Sequence, residues 1–184
     1  PRKPWTAQGA LREESMELKQ AETLAQEVVD QLAPYCTRIE VVGSIRRRKA
    51  FPNDIDILLI PANQGLLAGA IVTLGTKKKW GPAIVQRTYK GQQVDLYFAT
   101  PQTWDTLLLI RTGSMASNIR LASRAKAKGW RLYANGDGLF NGLGEKAPGL
   151  FWDSAGKGER IAGDSEESIF LALGLPYLEP WDRE

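Results

Sequence analysis

The sequence predicts an α/β (α+β) fold, with an α/β lobe to about residue 105 and a smaller mixed lobe after it. Three observations carry this expectation. Apolar residues recur at 3–4 spacing over 12–33, short strand-like runs fill the next seventy residues, and Pro101 marks a change to helical spacing. A chain of 184 residues suits one domain or two small lobes sharing a core.

In 12–33 the periodic set Met16, Leu18, Ala21, Leu24, Ala25, Val28, Val29 and Leu32 predicts an amphipathic helix ended by Pro34. Residues 38–42 read as a strand closed by Gly43-Ser44, followed by a basic loop to Pro52-Asn53. Residues 54–60 read as a largely buried strand stopped by Pro61, and 64–75 as a short helix. Segments 83–89 and 92–99, joined by Lys90-Gly91, predict a β-hairpin. Beyond Pro101, 103–111 and 114–128 read as helices broken at Thr112-Gly113, and 130–133 and 138–141 as short strands. Residues 164–173 read as a helix capped by Asp164 or Ser165, with Glu166-Glu167 in its first turn.

The chain has no histidine, which excludes His-based acid/base catalysis, Ser-His-Asp triads and nearly every zinc site. Its single cysteine, Cys36, excludes a disulfide framework and points to a reducing, cytoplasmic setting. No apolar run approaches the ~20 residues that span a bilayer. The basic start, Pro1 to Trp5, lacks the apolar stretch of a secretory signal, and no membrane partner is expected. Net charge is only +3, but it is segregated. From Thr106 to Gly136 there are six basic residues and no acid, whereas Asp164 to Glu184 holds six acids against Arg183 alone. Such segregation suggests a polyanionic partner. The run Lys77-Lys78-Lys79 is read as solvated charge, and Met115 as packing.

Asp54-Ile55-Asp56 places two carboxylates on one face of a strand, beside an apolar run. They repel one another and are costly there unless a cation sits between them. Oxygen-only ligands point to Mg²⁺ or Mn²⁺. Acids ending an edge strand in water have the same spelling. Asp95 alternates with Val94, Leu96 and Phe98 in a second strand. If the strands are neighbours, three carboxylates converge, enough to hold two cations about 3.5–4 Å apart for phosphoryl displacement. Gly43-Ser44 suits close approach of backbone N–H groups to a phosphate, and Arg46, Arg47 and Arg48 follow with guanidinium groups. A tight turn and a solvated basic loop would read the same way.

Gly43-Ser44-Ile45-Arg46-Arg47, followed by Asp54-Ile55-Asp56, resembles the palm signature of the DNA polymerase beta-like (family X) nucleotidyltransferases. Val94-Asp95-Leu96 is similar to the family's third aspartate, and Thr112-Gly113-Ser114 with Asn118 to its Thr-Gly-Ser…Asn motif. Segments 125–129, 138–140 and 166–177 resemble the tail of prokaryotic and viral members. The resemblance implies a palm with a mixed β-sheet and flanking helices over 1–105, and a small C-terminal α+β lobe binding nucleotide and base pair over 106–184. It implies that Asp54, Asp56 and Asp95 are catalytic and ligate two Mg²⁺ ions, with Mn²⁺ as a substitute. Nucleotide binding would fall to Gly43, Ser44, Arg47, Thr112, Gly113, Ser114 and Asn118. Arg120, Arg124 and Lys128, a stripe on one helix face, would contact DNA phosphates, or form a solvated face. Trp130 and Tyr133 suit a core better than base stacking.

Three departures stand out. Ile110-Arg111 replaces the Tyr-Phe pair associated with discrimination at the sugar, and Gln93 replaces an arginine two residues before the third aspartate. The roughly 37 residues before the palm are too few for the lyase and helix-hairpin-helix lobes. The expectation is a minimal, monomeric, template-directed DNA polymerase using nucleoside triphosphates and primer–template or gapped DNA, filling short gaps in repair; Arg2 and Lys3 are candidates for a DNA-binding arm. The alternatives are a small-substrate or RNA nucleotidyltransferase and a non-catalytic module binding DNA ends.

Overall fold

The computed structural model describes residues 16–142 and 158–184. Arg2, Lys3 and the first residues of the helix expected from 12 lie outside the described residues. Helix α1 (Leu18–Leu32) buries Ala21, Ala25, Val28 and Leu32, the stripe its 3–4 spacing defines. A 3₁₀ turn (Ala33–Tyr35) leads to β1 (Cys36–Val41), and a single helical turn, α2 (Gly43–Arg46), follows. That turn lies inside the segment read as a loop; four residues carry no periodicity to read.

Strand β2 (Ile55–Pro61) is buried on both faces, and Asp54 lies just before it instead of within it. Helix α3 (Gln64–Thr73) starts at Asn63, whose side chain accepts from the Leu66 N–H at 3.0 Å. Next come β3 (Thr76–Trp80), β4 (Ile84–Tyr89) and β5 (Gln92–Phe98), the last two forming the expected hairpin. The lysine run is solvated as expected, but it forms β3, an edge strand whose five residues are all exposed.

The C-terminal part contains α4 (Trp104–Thr112), α5 (Met115–Ala127), β6 (Trp130–Tyr133), β7 (Gly138–Asn141), β8 (Arg160–Ala162) and α6 (Glu166–Ala172). Ser165 caps α6 in a reciprocal box with Ser168. Strand β8 has three residues, too short to read. No helix among the described residues is long and apolar enough to cross a membrane.

The five-stranded sheet has the order β1-β2-β5-β4-β3, with β2 and β5 parallel and the other pairs antiparallel. The palm expected above, a mixed β-sheet with flanking helices, is present. Ile55, Ile57, Leu59, Val85, Val94 and Leu96 pack against α1 and α3. On the other face Val42, Leu58, Ile60 and Ala99 meet Trp104, Leu107 and Leu108 of α4. A third cluster joins Leu109 of α4 to Leu121, Leu139, Ile169 and Phe170 around the β6-β7-β8 sheet. Helix α4 therefore runs through the lobe boundary expected at 105/106 and enters both cores. It holds the second sheet against the first and defines the cleft between them.

Candidate active site

The parallel register sets Asp56 of β2 directly opposite Asp95 of β5. Asp54, at the mouth of β2, completes a cluster in which carboxylate oxygens of all three lie within 4.8 Å of one another. Burial, then the charges of Asp54 and Asp95, push Asp56 up to about 7, against the pull of Tyr97 and Arg47. Burial, then Asp95, likewise raises Asp54. The three carboxylates therefore need positive charge that the side chains around them do not fully supply. An all-oxygen donor set this tight fits hard dications such as Mg²⁺ or Mn²⁺.

The surrounding side chains orient the acids. Tyr97 donates its hydroxyl to Asp56 Oδ1 at 3.2 Å and lies beneath the Arg111 guanidinium, 4.3 Å from its ring centre. Gln86 Nε2 donates to both oxygens of Asp95 at 3.1 Å, and Gln93 Nε2 to Oδ1 at 3.0 Å. Gln93 is in turn held by Lys78, whose ammonium donates to its Oε1. Gln86 escapes a reading of the sequence, although a signal exists. Counting pairs outward from the Lys90-Gly91 turn sets residue 86 opposite 95.

Gly43 has φ +64°, and a Cβ there would lie 1.9 Å from Asp56 Oδ2 and 2.8 Å from Asp56 Cβ. The glycine thus makes room for the Asp56 carboxylate, a constraint the sequence did not show beside the phosphate approach expected there. Ser44 Oγ is buried without a hydrogen-bond partner and faces a cleft of about 660 Å³. Gly43, Arg47, Asp54, Asp56, Thr112, Gly113 and Asn118 also line this cleft. Arg47 Nη1 donates to the Thr112 carbonyl, tying the residue after α2 to the end of α4.

Of the three consecutive arginines only Arg47 lines the cleft. Arg46 forks onto both oxygens of Glu166 at 2.9 Å and donates to Thr112 Oγ1 at 2.7 Å. Arg48 stacks on Trp181 at 4.1 Å. The reading of Arg46 as a phosphate ligand is corrected, because its guanidinium is committed to the fold; Arg48 is exposed outside the cleft. Glu166, only 6% exposed, also accepts from Arg183 Nη1 at 2.8 Å. Burial raises its carboxyl, but the hydrogen bonds and charges of Arg46 and Arg183 outweigh that and hold it below its ordinary value. No local pattern announced this hub, because Arg46 and Glu166 are 120 residues apart.

Ser114 spends its hydroxyl capping α5, accepting from the Ser117 N–H at 3.2 Å. Asn118 Nδ2 donates to the Ile110 carbonyl at 2.8 Å, leaving Oδ1 buried and without a partner. Met115, expected to pack, is instead 80% exposed beside Ile119 at the cleft. Arg120, Arg124 and Lys128 are exposed along α5. Arg124 donates to the Leu173 carbonyl at 3.1 Å, and Lys128 lies 4.9 Å from the Trp130 ring.

Comparison with known proteins places this geometry. The family of the DNA polymerase beta thumb matches residues 107–184. DNA polymerase lambda of Rattus norvegicus is 25% identical over 164 residues, covering 77% of this chain and 28% of the relative. The chain thus spans less than a third of that relative's length. The structure of Leishmania infantum polymerase beta, a ternary P/T complex, superposes with a TM-score of 0.73 at 24% identity, covering 93% of this chain and 77% of that one. The chain is similar to these DNA polymerases and shares the polymerase beta fold. The matched DNA polymerase beta thumb begins inside α4 and contains Asn118 and Glu166; Gly43, Ser44 and the aspartates precede it.

Proposed function

We propose that the protein is a template-directed DNA polymerase that adds deoxynucleotides to a primer 3′-hydroxyl and fills short gaps in DNA repair. The observation that carries this reading is the convergence of Asp54, Asp56 and Asp95 beside a cleft lined by Ser44 and Arg47. The ternary P/T complex of the Leishmania relative supports primer–template DNA as the ligand.

Asp54 and Asp56 would hold both dications and Asp95 one of them; when bound, such a pair stabilises the attacking and leaving oxygens of an in-line displacement. Asp95, oriented by Gln86 and Gln93, accepts the 3′-hydroxyl proton as the new O3′–Pα bond forms and the bond to pyrophosphate breaks. Ser44, with its unpartnered hydroxyl, and Arg47 bind the β- and γ-phosphates. Asn118 turns its open Oδ1 toward the minor-groove edge of the nascent pair, and Met115 and Ile119 cover the base.

Primer extension on gapped duplex tests the reading. The wild type gives a templated ladder with Mg²⁺, and Asp95→Ala gives none while still binding the duplex. Single untemplated additions by the wild type, or a full ladder from Asp95→Ala, would overturn it.

A further inference from the structure

A bulge in β3 sorts three consecutive lysines onto the two faces of the sheet. Lys77 pairs with Arg87 and Lys79 with Gln86, which leaves Lys78 as the extra residue. Arg87 points toward the C-terminal end of α3, where it donates to the carbonyls of Val72, Leu74 and Gly75. Lys77, opposite Arg87, shares that face. Gln86 points the other way and donates to Asp95, so Lys79 shares the face of the acid cluster. Lys78 is also on that face, because its ammonium reaches Gln93, which donates to Asp95. Unbroken alternation would have set Lys77 and Lys79 together and Lys78 opposite; the extra residue resets the pattern.

Lys78 is therefore two hydrogen bonds from Asp95, and Lys79 lies on the same face two strands away. Strand β3 forms the open edge of the sheet, and among the described residues no acid pairs with any of its lysines. Lys79, Gln86 and Asp95 form one row across three strands. At ~4.8 Å per strand that row is about 10 Å long. Successive phosphates of one DNA strand are separated by roughly twice the ~3.4 Å axial rise, so about two phosphates fit along it, one for each lysine.

We infer that Lys78 and Lys79 bind the backbone phosphates of the primer strand immediately upstream of its 3′ end. The inference rests on the reading above that the primer terminus meets Asp95. Lysines on an edge strand also discourage pairing with other chains, but that role has no need of a particular face. Lys77 supplies a control, since it has the same charge on the same strand and the opposite face.

The test is fluorescence anisotropy of the full chain on gapped primer–template DNA across a NaCl series. Lys78→Gln/Lys79→Gln is expected to lower the magnitude of the log Kd against log salt slope by about 1.8, ~0.9 for each phosphate no longer neutralised. Lys77→Gln is expected to leave slope and Kd at wild-type values. Neutral methylphosphonates at the last two primer linkages should weaken the wild type and add no further loss to the double variant. An unchanged slope in the double variant, an equal loss in Lys77→Gln, or fully additive methylphosphonate losses would overturn the inference. Self-association of the double variant with unaltered DNA binding would overturn it too, leaving edge protection as the lysines' role. A wild type without a templated ladder removes the polymerase reading. A wild-type ladder with an unchanged slope in the double variant removes this inference and leaves that reading standing.

Discussion

One face of the five-stranded sheet is apolar along β2 and β5, whereas the other changes from acidic to apolar within two residues of each strand. Ile55, Ile57 and Leu59 meet α1 and α3 on the first face; on the second, Asp56 is followed by Leu58 and Ile60 under α4. Along β5, Asp95 gives way to Tyr97 and Ala99 in the same manner. The same strands thus anchor a core and hold mutually repelling carboxylates at the edge of it. Rigidity comes from the apolar residues and concentrated negative charge from the acids, with one residue of offset between them.

The sharpest way to break this comparison is Asp56→Asn. Loss of a ligand shared by the proposed cations should slow extension on the order of 10³-fold, ~4 kcal/mol of barrier, in steady-state assays. The same change should stabilise the metal-free protein. With a folded value of about 7 against an ordinary 3.8, Asp56 holds a proton in the folded state that the unfolded chain has released. Stability of the wild type therefore falls as pH rises through that window, with Asp54, Asp95, Tyr97 and Arg47 facing the same carboxyl and Lys49 acting on Asp54 beside it. Melting in EDTA should show Asp56→Asn above wild type at pH 8, with the gap closing toward pH 4.5. An equal gap at both pH values would contradict the burial and repulsion assigned to this carboxyl.

Glu166→Gln probes a buried charge that is fully paired instead of repelled. Removing it leaves Arg183, whose side chain is 0% exposed, without its counter-ion, at a cost of about 3–5 kcal/mol in denaturant melts. Because its partners hold Glu166 below the ordinary carboxyl value, this stabilisation is present near neutral pH. It disappears as pH falls through the folded value, so the variant and wild type should converge in acid. On the apolar face, Leu96→Ala should cost about 2–5 kcal/mol through a cavity under α1 and α3. The smallest effect belongs to Gln86→Ala. With one amide gone from Asp95, Mn²⁺ affinity followed by electron paramagnetic resonance should fall about 10–100-fold, with little change in melting.

The sequence makes α1, β2, the β4–β5 hairpin and α5 legible, because each carries an uninterrupted apolar period. It also marks Asp54, Asp56 and Asp95, since acids inside apolar runs stand out against their neighbours. Strand β3 is not legible as a strand: Lys77, Lys78 and Lys79 lie on an open edge, where no core imposes alternation. Arg46 misleads for another reason. A guanidinium beside Gly43-Ser44 looks the same whether its partner is a phosphate or a carboxylate, and Glu166 reaches it only through the folded chain. Gln86 lies between these cases, hidden from composition but recoverable from hairpin register.

The tie between Arg46 and Glu166 sets an order on how the molecule is made. A ribosome moving at ~5–20 residues per second adds the 120 residues between them in about 6–24 s. For that interval the first half of the cleft exists with a bare guanidinium where a carboxylate belongs. The nascent chain cannot pair Arg46 until α6 has emerged, so the clasp joining the two sides of the cleft sets well after β2 and its acids have been made.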